Sequence, residues 1–191
     1  LAACLTGLFW SGVVFYTQGR WRPLTGAVSK DDYLSRTHPS FPYSPYAALK
    51  FVNEKLPPDA KVLMIGDERS FYLKKKFIVS SVFDKTAVVE YALASKNGDE
   101  MFARLRADGV THLLLNMAEG MRIGKDYKVF YFTPASLAVF NDFWPRHVKE
   151  LYHNDETENG RFMNRTAVYE LVPERDAAAP APVNLLSEVI L

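Results

Sequence analysis

The stretch Lys61–Asp67, reading K-V-L-M-I-G-D, constrains the fold more than any other part of the chain. Four consecutive apolar residues, Val62 to Ile65, suit a strand buried on both faces. A sheet wetted on one side would need alternating polar positions instead. Helices must then cover this strand above and below. Gly66 lets the backbone turn sharply, and Asp67 is suited to cap whatever follows. In open α/β sheets such strand ends form the crevice in which ligands sit.

The neighbouring sequence supplies the cover. Ser44-Pro45 reads as N-cap and first residue of a helix running to Leu56, stopped by Pro57-Pro58-Asp59. Phe77–Val82 is β-branched and gives a second strand, with Glu68–Lys74 as a short helix before it. Lys85–Ser95 reads as helix, and Asp99 is the expected cap of an amphipathic helix over Glu100–Asp108 that Gly109 closes. Val110–Asn116 is a third strand. This alternation predicts a parallel sheet with right-handed crossovers, ordered 2-1-3. Met117–Phe132 reads as irregular, and Thr133-Pro134 starts a helix that Pro145 ends after Trp144. Arg146–Asn154 and Thr166–Val172 alternate as an antiparallel pair, with a turn signal at Asn159-Gly160. The expected fold is a three-layer Rossmann-like α/β domain, with a short parallel sheet and a C-terminal antiparallel strand pair.

Leu1–Tyr16 contains no charge. A membrane-spanning helix needs roughly 20 apolar residues, so this segment reads as the end of one, within a piece of a longer protein. Trp10, Tyr16 and Trp21, with Arg20 and Arg22, have the composition of an interfacial belt. A secretory signal peptide is the rival, but it would open with basic residues, which are missing; a buried helix of a soluble domain is the other alternative. The division expected is residues 1–22 as the end of a transmembrane helix and 23–43 as a linker with a short helix capped by Ser29. Residues 44–173 then form the α/β domain, and 174–191 a linker and apolar tail.

Charge and motifs exclude several chemistries. With 23 basic and 22 acidic residues there is no basic excess for a nucleic acid. The four histidines and Cys4 show no metal-ligand spacing. After the Gly66 turn the run is G-D-E-R-S-F, with one glycine of the dinucleotide fingerprint and two acids where phosphate would sit. A nicotinamide or flavin cofactor is therefore not expected, nor any other. No nucleophile elbow is present, and no residue is assigned a catalytic role. His112, inside a strand, reads as a core histidine. The candidate ligand-binding residues are Gly66, Asp67, Glu68, Arg69 and Asn116, all at one edge of the sheet. Asp67, Glu68 and Arg69 suit a polar, uncharged or cationic group such as a sugar or peptide. Alternatively, Asp67 caps a helix and Arg69 pairs with a surface acid. The aromatic set from Tyr127 to Trp144 reads as core, or, where exposed, as a partner-facing or membrane-facing surface.

The order of these phrases carries a resemblance. An apolar helix end is followed by S-x-D-x-Y-L, then Y-A-A-L-K-F-V-N-E-K-L-P-P-D-A-K-V-L-M-I-G-D-E-R-S-F-Y-L, I-V-S-S-V-F-D and G-V-T-H-L-L-L-N. Over about Leu1 to Val172 this resembles the soluble C-terminal domain of bacterial multi-spanning glycosyltransferases of the protein-mannosyltransferase and lipid A aminoarabinose transferase type. The resemblance implies transfer of a sugar from a polyprenyl-phosphate carrier by the parent protein, with the catalytic acid elsewhere. It implies for this segment an extracytoplasmic, non-catalytic role in acceptor binding or stability. The implied partners are membrane lipid, through the N-terminal apolar segment, and a sugar, lipid-linked sugar or glycan acceptor. Arg20 and Arg22 alone would favour the cytoplasmic side by the positive-inside rule. The alternative function is a self-standing soluble α/β binder or enzyme with its pocket at the strand ends.

Overall fold

The computed structural model describes residues 2–38, 41–175 and 182. Five strands form one sheet: β1 (Lys61–Ile65), β2 (Lys76–Ile78), β3 (His112–Asn116), β4 (Val148–Glu158) and β5 (Arg161–Leu171). Their spatial order is β2-β1-β3-β5-β4. β1 runs parallel to β2 and β3, whereas β5 runs antiparallel to both β3 and β4. The expected 2-1-3 parallel core and its antiparallel extension are both present.

The helices are α1 (Ala2–Thr17), α2 (Trp21–Leu24), α3 (Lys30–Leu34), α4 (Tyr46–Lys55), α5 (Ala87–Leu93), α6 (Gly98–Ala107), α7 (Met117–Tyr127) and α8 (Pro134–His147). Strand residues alternate between two cores, as the period of two requires. Leu63, Ile65, Leu113, Leu115 and Tyr169 pack with Val89, Met101, Phe140 and Trp144 from α5, α6 and α8. Val62, Met64, Leu114 and Val168 pack with Ala48, Leu49 and Val52 of α4. The sheet is thus the middle of three layers, and Val62–Ile65 is buried throughout.

Several boundaries differ from those the sequence suggests, each for a local reason. The second strand ends at Ile78, because Ser80 Oγ accepts a hydrogen bond from Ala87 N at 2.8 Å and turns the chain into α5. Glu68–Lys74 is not helical. Asn53 of α4 brackets it, donating to Tyr72 O at 2.8 Å and accepting from Lys74 N at 2.7 Å. α4 begins one residue after Pro45, with Ser44 Oγ accepting from Tyr46 N at 3.2 Å. Asn97, not Asp99, caps α6, its side chain accepting from Glu100 N. α8 passes through Pro145 for a last turn, where Arg146 and His147 both reach Asp99 Oδ1, at 2.6 and 3.1 Å.

The segment expected to be irregular contains α7, which buries Met117, Gly120 and Ile123. Its two glycines disguise it, since glycine is a poor helix former. The antiparallel pair is longer than expected and closes in the two-residue turn Asn159-Gly160. Both residues hold positive φ, 52° and 76°, as a tight hairpin turn of primed type demands. The polar run Asp155–Glu158 is strand because this ribbon continues past the end of β3, where neither face needs to be apolar.

α1 has no buried residue. Its 16 residues make a rod of roughly 24 Å at 1.5 Å per residue, short of the ~30 Å hydrocarbon core. Among the described residues no helix is long and apolar enough to cross a membrane. Ser29 caps α3 as its spacing predicts, accepting from Asp32 N at 3.0 Å, although that helix ends at Leu34. Most of the tail over 174–191 lies outside the described residues.

Candidate functional site

The carboxyl ends of β1 and β3 bring three of the candidate side chains together. Gly66 turns β1 outward with φ +74°. A Cβ there would stand 2.6 Å from Asn116 O and 2.8 Å from Gly120 Cα, so the β1 turn rests directly on the start of α7. That contact explains a glycine at both positions. Asp67 follows and is buried, at 3% exposure.

Asp67 is the hub of a closed network. Its Oδ1 accepts from Arg69 N and Nε, both at 2.9 Å. Its Oδ2 accepts from Arg69 Nη2 and from Asn116 Nδ2, both at 2.7 Å. Arg69 also donates to Pro42 O at 2.7 Å and Tyr43 O at 3.0 Å, and its guanidinium lies 4.5 Å over the Phe41 ring. Asn116 Nδ2 donates to Tyr43 O as well, at 2.7 Å. The segment from Phe41 to Ser44 therefore lies across the strand ends and is fastened there by the ion pair. Asp67 caps no helix, and Arg69 pairs with Asp67 itself rather than with a surface acid.

Glu68 stands beside this network. Burial, followed by the negative charges of Asp67 and Glu119, raises its carboxyl above the ordinary range. Glu119 accepts two hydrogen bonds from Arg122, at 2.9 and 2.7 Å. Two acceptors in the neighbourhood have no hydrogen-bond partner among the described residues: Asn116 Oδ1 and Thr166 Oγ1, both buried. They belong to residues directly opposed across β3 and β5. A depression of about 630 Å³ lies nearby, lined by Tyr43 and Asn154. Among the described residues no cluster of three or more histidine, cysteine or acidic side chains could hold a metal ion.

Chemically, the Asp67–Arg69–Asn116 set is a neutral ion pair bridged by the Asn116 amide nitrogen, with only Asn116 Oδ1 left without a partner among the described residues. It fixes a loop; its charged atoms are already engaged. The three side chains meet because all lie at the carboxyl ends of β1 and β3. The Pro42 and Tyr43 carbonyls carry no side-chain signal in the sequence, and the position of Thr166 depends on strand register.

These features define an α/β domain of Rossmann-like architecture with the segment Phe41–Ser44 lying across its strand ends. No family model matches the sequence, and no curated protein matches it. Among solved structures, the chain is similar to the C-terminal globular domain of an oligosaccharyltransferase from Archaeoglobus fulgidus. The TM-score is 0.39 and the identity 14%, over 66% of this chain and 95% of that one.

Proposed function

We propose that this chain is the membrane-apposed accessory domain of a multi-spanning glycosyltransferase that takes its sugar from a polyprenyl-phosphate carrier. In this reading residues 1–22 are the end of a transmembrane helix and 23–43 the linker. Residues 44–173 are a non-catalytic extracytoplasmic body that binds or positions an acceptor. The observation that carries it is the pairing of an apolar helix, exposed along its length, with a crevice whose charged side chains satisfy one another. The exposed aromatics add support. Phe71 and Phe83, 89% and 87% exposed, follow the carboxyl ends of β1 and β2, the end against which the linker lies. Such residues suit a lipid or glycan surface. The test is sugar transfer by residues 19–191 alone: the domain should fold and show no turnover with a polyprenyl-phosphate sugar, and turnover would overturn the reading.

One observation favours a second reading, a small-molecule pocket involving Gly66, Asp67, Glu68, Arg69 and Asn116. The buried Asn116 Oδ1 and Thr166 Oγ1 would accept from a hydroxyl-rich ligand such as a sugar. Soaking crystals with sugars and nucleotides decides it, since an ordered ligand at these atoms would establish a binder.

A further inference from the structure

α1 leads directly into a small basic pocket. Thr17 ends the helix, Gly19 turns with φ +64°, and α2 follows at Trp21. α3 packs back onto this exit, with Tyr33 OH donating to Gln18 O at 3.2 Å. His38 stacks on the Tyr33 ring at 4.1 Å and its Nε2 lies 2.7 Å from Tyr33 O. Between these elements is a cavity of about 220 Å³. Arg22 enters it from α2 and Arg36 from beyond α3, and no acidic residue among the described residues lines it.

Several arginines elsewhere in the domain are paired with acids. Arg69, Arg104, Arg122, Arg146 and Arg165 each hold a carboxylate. Arg22 and Arg36 are exposed and form no ion pair among the described residues, although Arg36 also borders the depression lined by Asp155, Glu156 and Glu158. Two guanidinium groups lining one cavity repel each other, and an anion between them removes that repulsion. Guanidinium forks match phosphate oxygens two at a time. The location selects the source of that phosphate. The cavity begins where the uncharged helix stops, and Tyr16 and Trp21 stack there with ring centroids 6.3 Å apart, an amphipathic aromatic pair of the kind that sits at head-group level.

We propose that Arg22 and Arg36 bind the phosphate of an anionic lipid head group in this pocket. The proposal rests on the membrane reading given above, and the experiment separates the two. The full chain is floated with vesicles of phosphatidylcholine alone or mixed with phosphatidylglycerol, and the detergent-solubilised chain is titrated against inorganic phosphate by phosphorus NMR. Arg22→Gln and Arg36→Gln are compared with Arg161→Gln, which alters an exposed arginine outside the pocket.

The expected result is stronger flotation with phosphatidylglycerol, weakened about fivefold by each pocket variant and unchanged by Arg161→Gln. Equal flotation with both vesicles, or an equal loss in Arg161→Gln, overturns the pocket while the membrane reading stands. Phosphate line broadening that both pocket variants abolish, without flotation on any vesicle, keeps the pocket as a free-phosphate site and overturns its lipid source and the membrane reading. Neither signal overturns both.

Discussion

Asn116 Nδ2 donates to Asp67 Oδ2 at 2.7 Å, tying the tip of β3 to the tip of β1 beneath the Phe41–Ser44 segment. Asp67 thereby accepts four hydrogen bonds in all, three of them from Arg69. Replacing it with alanine leaves Arg69 and Asn116 facing a partly dry site. Breaking a buried ion pair costs ~3–5 kcal/mol. Arg69 is 25% exposed and recovers some hydration, so Asp67→Ala should lose about 3 kcal/mol. Urea unfolding measures this; a loss under about 1 kcal/mol would show that the network does not hold the loop.

Gly66 and Gly160 share nearly the same backbone, φ +74° and +76°, but not the same surroundings. A Cβ at Gly160 meets nothing within 4 Å, whereas one at Gly66 meets backbone at 2.6 and 2.8 Å. Gly160→Ala should therefore cost about 1 kcal/mol, the left-handed penalty alone. Gly66→Ala should cost about 3 kcal/mol or more, since β1 and α7 must also separate. Denaturant melts of the two variants side by side test the difference.

Glu68 has a folded-state carboxyl raised by burial and by the charges of Asp67 and Glu119. The fold favours its protonated form, so it weakens the protein as pH rises past the ordinary value of 4.5 and through the raised one. Glu68→Gln should stabilise modestly at neutral pH, by under about 1 kcal/mol at this half-exposed position. Below pH 4.5 the gain should vanish. Melting temperature against pH for both proteins gives the answer.

His112 gives the opposite sign. Burial lowers its pKa from 6.5, and its Nδ1 lies 2.7 Å from Thr111 Oγ1. The folded state keeps the ring neutral, so stability holds above pH 6.5 and declines as pH falls through the lowered value. His112→Asn keeps a polar atom near Thr111 and should flatten that acid limb. An unchanged slope in the same pH series would place the titration elsewhere.

What the sequence makes legible here is what a single strand or turn can encode by itself. Val62–Ile65 and Leu113–Leu115 announce a sheet covered on both sides, and Asn159-Gly160 announces a two-residue turn. The helix over Met117–Tyr127 stays hidden because Gly120 answers to a distant backbone, that of Gly66, and not to helix propensity. The strand segments over 155–158 and 161–165 stay hidden because a free ribbon has no inner face to write in apolar residues. The same division runs through the site. Asp67, Arg69 and Asn116 follow from strand-end logic, whereas the carbonyls of Pro42 and Tyr43 that complete their network belong to a loop with no periodicity.

The antiparallel entry of β5 beside β3 has a bearing on biosynthesis. β3 is flanked by β1 on one edge and by β5 on the other, and its leucines are all buried. A ribosome delivers β1, β2 and β3 well before the hairpin. During that interval a greasy ribbon edge with unsatisfied amides is open to any passing chain. Expression truncated ahead of Arg161 would freeze the protein at that stage, and inclusion bodies rather than a smaller folded unit should be the product.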